Sequence, residues 1–107
     1  MNFNELTAAI RRIPCKEFRA QTEHYLEVVI DQPHFEMLHR ILQTYFGPPL
    51  KPKGSAPTGD SSRYAEQHGG IRSDQILYVR SKEKGADVAL VWPWNGGIVV
   101  TVKLVCG

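Results

Sequence analysis

The feature that most constrains this chain is an amphipathic helix with a fixed start and a fixed stop. Phe35, Leu38, Ile41, Leu42 and Tyr45 recur at three- and four-residue spacings, which gathers them into one wide apolar stripe. Asp31 is placed to cap this helix and Pro33 fits its first turn, where a missing N–H costs nothing. Gly47 stands at the stop position, and Pro48-Pro49 forbids extension. A one-sided helix needs a surface to cover, and the flanking segments say what that surface is.

Before the helix, residues Phe18–Asp31 change period from helical to two: Phe18, Ala20, Thr22, His24, Leu26, Val28 and Ile30 share one side. That pattern predicts one long strand, best formed over Glu23–Ile30, with its earlier half bulged or frayed. After the helix, Gln75–Ser81, Ala86–Trp92 and Ile98–Val105 are rich in β-branched and aromatic residues. Short loops join them: Lys82-Glu83-Lys84-Gly85, then Pro93-Trp94-Asn95-Gly96-Gly97. A first, shorter helix is expected from Phe3, Leu6, Ile10 and Ile13, with Asn2 and Glu5 spaced for a capping box and Pro14 ending it. The element order is α-β-α-β-β-β. The expectation is a two-layer α+β fold, a four-stranded, largely antiparallel sheet with both helices on one face.

At 107 residues the chain has the length of a single domain, taken as 1–107. No apolar run reaches the ~20 residues of a membrane span, and the Met-Asn-Phe-Asn-Glu-Leu start lacks the charged and apolar regions of a secretion signal. A cytoplasmic, reducing setting is therefore expected, with Cys15 and Cys106 as ordinary thiols. Neither a metal nor another cofactor is expected. There is no Cys-x-x-Cys pair, and His34 and His39, five apart on a helix, point about 140° away from each other.

Between helix and meander lies the unusual stretch. Its Pro, Gly and Ser content from about 48 to 73 predicts a long flexible loop, with one or two helical turns over Arg63–His68. Lys51, Lys53, Arg63 and Arg72, with Tyr64 beside them, make a basic cluster there. Cations and an aromatic ring in mobile backbone suit an RNA strand or an acidic partner. The net charge is only +2, however, with −1 over residues 1–46 and +3 over 47–107, far from a typical nucleic-acid domain. His68, near Glu66 and Arg72, is the one weak candidate for acid–base chemistry. No nucleophile elbow or phosphate loop accompanies it.

Trp92 and Trp94 mark the second hairpin, where large aromatics serve as interface anchors or as core caps. With helices on one face only, Val91, Val99 and Val105 are expected on the open side, where a second copy of the chain would cover them. The expectation is thus a small binding module rather than an enzyme. It would self-associate as a homodimer or take a partner or ligand through Lys51, Lys53, Arg63, Tyr64, Arg72, Trp92 and Trp94. The alternative is a small RNA-binding or RNA-cleaving protein working through residues 51–72.

Overall fold

The computed structural model describes residues 1–107. Helix α1 (Phe3–Arg11) starts at a closed capping box: Asn2 Oδ1 accepts from the Glu5 N–H at 2.8 Å, and Glu5 Oε1 accepts from the Asn2 N–H at 3.2 Å. Its buried side holds Phe3, Leu6 and Ile10. Helix α2 (Phe35–Phe46) follows a single 3-10 turn with Pro33 inside it and ends at Gly47. Leu38 and Leu42 are fully buried.

Residues 17–31 correct the expectation of one strand. They form two, β1 (Glu17–Thr22) and β2 (Tyr25–Asp31), paired antiparallel with Thr22 opposite Tyr25. The reversal falls at Glu23-His24, so His24 is an exposed turn residue and not a member of the apolar row. The turn carries no glycine or asparagine. The Thr22 hydroxyl accepts the His24 N–H at 3.2 Å in place of the usual turn chemistry. The irregularity expected in the earlier half is present as a bulge between Phe18 and Ala20.

With β3 (Ile76–Ser81), β4 (Ala86–Trp94) and β5 (Val99–Val105) the sheet has five strands rather than four, in the order β1-β2-β5-β4-β3. Every neighbouring pair is antiparallel. Helices α1 and α2 cover one face, over Leu26, Val28, Ile30, Val100, Val102 and Leu104. Val91 belongs to this face, since it pairs with Val102, so the expectation that it lies open is corrected.

The opposite face is not bare. A third helix, α3 (Gly59–Ala65), and the 3-10 turn Glu66–His68 lie against it, where Ala65, Leu77, Val88 and Leu90 form a second small core. The two-helix, one-face layout is corrected accordingly. Thr58 opens α3 with its own capping box, Ser61 taking the place of the usual acidic residue. Val99 is also shielded, at 1% exposure, while Val105 is half-buried against the second core.

The segment leading to α3 is fastened to the sheet. Lys51 and Leu77 exchange backbone hydrogen bonds at 3.2 and 3.0 Å, which covers one position of the free edge of β3. The Lys51 side chain is 2% exposed, and its ammonium donates to the carbonyls of Pro52, Ser73 and Gln75 at 3.0, 2.9 and 2.6 Å. None of the helices is long and apolar enough to cross a membrane.

Candidate functional site

Three hollows open on the surface. One, of about 520 Å³, lies between the start of α1 and the β1–β2 turn, where Glu23, His24 and Cys106 meet. A small one, of about 60 Å³, is lined by Phe35, His39, Lys53 and Asp74. The third, of about 430 Å³, runs between α3 and the sheet and draws on three parts of the chain. Arg63, Tyr64, Gln67 and His68 come from α3 and its terminal turn. Gly85, Ala86 and Val88 come from the start of β4, and Val105, Cys106 and Gly107 from the end of β5.

The local fold explains this convergence. Thr58 and Ser61 fix where α3 begins, and Gly69-Gly70 ends the turn after it. Gly69 has a φ of +105°, and a Cβ built on it would stand 2.6 Å from the Trp92 ring. Only glycine lets the chain press so close to β4 while adopting that conformation. Lys103 of β5 locks the same corner, its Nζ lying 3.7 Å from the Trp92 ring centroid and 3.4 Å from the His68 carbonyl oxygen.

Arg63 is the one permanently charged side chain lining the cleft, and the Gly107 main chain lines it as well. No Asp or Glu side chain lines it. The Arg63 guanidinium lies 5.0 Å from the Tyr64 ring centroid and its side chain is 68% exposed; its one acidic neighbour, Asp60, is 3.9 Å away and equally solvated. An ion pair so exposed contributes little. Burial, and then the nearby Lys103, push the His68 imidazole below its ordinary value, which favours the neutral ring. At the far end Lys82 sits 3.5 Å from Cys106 Sγ but is paired at 2.6 Å with the fully buried Asp87. No three His, Cys, Asp or Glu side chains converge to hold a metal, and both cysteines are unpaired.

Of the residues singled out from sequence, the structure unites Arg63, Tyr64 and His68 in one cleft, with Trp92 beside it through Gly69 and Lys103. It separates the others. Lys51 is inside the protein, Lys53 borders the small hollow, and Arg72 is exposed with its N–H bonded to Gln75 Oε1 at 2.8 Å. Trp94 stands at the hairpin end, donating from Nε1 to Thr101 Oγ1 at 3.0 Å, with Arg19 over its ring. Gln67, Lys103 and Cys106 escaped sequence reasoning. Lys103 left a trace, as the one charge in the row Val99, Thr101, Lys103, Val105. Gln67 and Cys106 left none. No protein family, curated protein or solved structure matches this chain.

Proposed function

We propose that the protein is a small binding module and that the cleft beneath α3 is its ligand site. The observation that carries this is the convergence of three separate chain segments on one concave hollow of about 430 Å³ that no Asp or Glu side chain lines. That volume lies within the ~300–1,000 Å³ typical of small-molecule sites, and a mixed lining of apolar walls and a few polar groups is usual for them. The RNA alternative draws less support, because Lys51, Lys53 and Arg72 do not join Arg63 on one surface.

A fragment screen read by amide chemical shifts tests the proposal. Hits should move the signals of Gln67, His68, Ala86 and Val105 together. Hits that cluster elsewhere, or none at all, would remove the cleft as the site.

A second reading, self-association, rests on Trp94 at 41% and Ile98 at 48% exposure, which flank the turn between β4 and β5. Large apolar side chains clustered at one spot favour contact with another surface. The β3 edge carries one bridge to Lys51, and β1 is bulged with charged side chains; both work against edge-to-edge pairing and favour the hairpin end as the contact.

A further inference from the structure

The chain from Pro52 to Gln75 leaves the sheet and returns to it at one place, and there its two limbs are tied across. Lys51 pairs through its main chain with Leu77, and the Gly54 N–H donates to the Ser73 carbonyl at 2.8 Å. The Lys51 ammonium reaches carbonyls on both limbs, Pro52 on one and Ser73 and Gln75 on the other. The result is a closed neck with a buried charge inside it, from which α3 and its turn extend as one lobe.

Beyond the neck the fastening is sparse. From Ala56 to Ile71 one hydrogen bond reaches the rest of the protein, from Lys103 Nζ to the His68 carbonyl at 3.4 Å. The ion pair of this stretch, Arg63 with Asp60, is internal. Its one fully buried apolar side chain, Ala65, joins the small core of Leu77, Val88 and Leu90 rather than the main core of 17 residues. Gly69 presses on the Trp92 ring, whose Nε1 is left buried without a partner. Segments held by so few buried contacts open at a cost well below that of global unfolding. A helix of 7 residues is also too short to persist once lifted from its support.

Gly54 and Gly70 bracket the lobe at φ values of +86° and +83°, and a Cβ at either would meet nothing within 4 Å. Glycine in such open space turns freely, as a hinge position requires.

From the closed neck, the sparse fastening and the two glycines we infer that residues 55–69 form a lid that opens as a unit between Gly54 and Gly70, while the Lys51 neck stays shut. Opening draws Tyr64, Gln67 and His68, which ride on the lid, away from Ala86, Val88 and Val105 on the sheet. The hollow between them widens accordingly. The movement belongs to the free chain and holds whether or not that hollow takes a ligand.

Two matched cysteine variants test it. Ala65 and Ala89 are both fully buried, the first in the lid and the second in the main core. Without denaturant, Ala65→Cys should react with N-ethylmaleimide at least about tenfold faster than Ala89→Cys. Peptide masses separate these sites from Cys15 and Cys106. Dilute urea should speed the Ala89→Cys reaction steeply and the Ala65→Cys reaction little, because a local opening exposes less surface. In the parent chain, the Ser62 and Gly70 amides, each bonded to a carbonyl of the lid at 2.9 Å, should exchange together. They should do so at least about tenfold ahead of the Gly54 and Leu77 amides at the neck.

Equal labelling of the two cysteines would mean that the lobe opens only with the whole protein, and would overturn the inference. So would neck amides that exchange as fast as those of the lid, since the segment would then come away from its base. A lid that opens while fragments leave the hollow empty upholds this inference and removes only the ligand site.

Discussion

Two buried charges show opposite solutions to leaving water. Lys51 forms no ion pair and places its ammonium donors on three main-chain carbonyls. Burial pushes its pKa down, and Asp74 opposes the shift. Replacing it by Met should cost about 1–3 kcal/mol, because buried carbonyls then lose their donor. Trypsin cleavage at the exposed Lys53–Gly54 bond should accelerate in the same variant.

Asp87 instead gathers partners: Lys82 at 2.6 Å, the Tyr45 hydroxyl at 2.5 Å and the Gly107 N–H at 3.0 Å. Burial raises its pKa, but those bonds outweigh it and hold the carboxyl below its usual 3.8. His39 responds in a different range of pH. Burial holds its imidazole below 6.5, with Nδ1 3.1 Å from the Tyr78 hydroxyl. The folded chain therefore takes up this proton less readily than the unfolded chain does. Stability is full above the ordinary histidine value and declines as pH falls below it, with His68 acting in the same direction. Melting temperature should drop between about pH 7 and about pH 5, and His39→Gln should flatten that drop. Loss of the Asp87 contribution should appear only at lower pH.

Among elements, α2 is where burial and exposure divide most cleanly. Leu42→Ala should cost about 2–5 kcal/mol in a denaturant series, whereas Arg40→Ala, at a side chain 73% exposed, should stay within about 0.5 kcal/mol. This helix was legible in the sequence because its stripe, its proline start and its glycine stop agree. So were α1 and the β3–β4–β5 meander, each with a clear period and marked turns. The β1–β2 reversal was not, because Thr22 makes its turn with a hydroxyl and β-rich residues run straight through it. Helix α3 was hidden among glycines and serines, since Gly59, Ser61 and Ser62 are weak helix formers and its support is tertiary. Of the site, Arg63, Tyr64 and His68 were visible as chemistry, but their common cleft depends on Gly69 meeting Trp92. Gly69→Ala should push that turn off β4 and alter Trp92 fluorescence. Gly70→Ala, strained at a φ of +83° but with nothing within 4 Å to clash, should change the spectrum less.

For the whole molecule, association through the hairpin end makes Ile98 the position to test. If copies meet there, Ile98→Lys should lower the sedimentation mass at micromolar concentration and leave the fold intact. Val99→Lys is a poorer probe, because Val99 is 1% exposed and a lysine there disturbs the monomer first. A parent chain that sediments as a monomer throughout would leave Trp94 as a cover for Thr101.

The sheet order has a consequence in time as well as in space. Strand β5 is central, yet it is the last strand in sequence order, and residues 25–31 must wait for 99–105 before they gain their second neighbour. Without β5 the sheet divides into two hairpins, β1–β2 and β3–β4, with β2 and β4 each left open where β5 pairs. Such non-local pairing places the chain among slower folders. The unpaired β2 and β4 edges are the parts of the chain most open to pairing with other molecules before residues 99–105 dock between them.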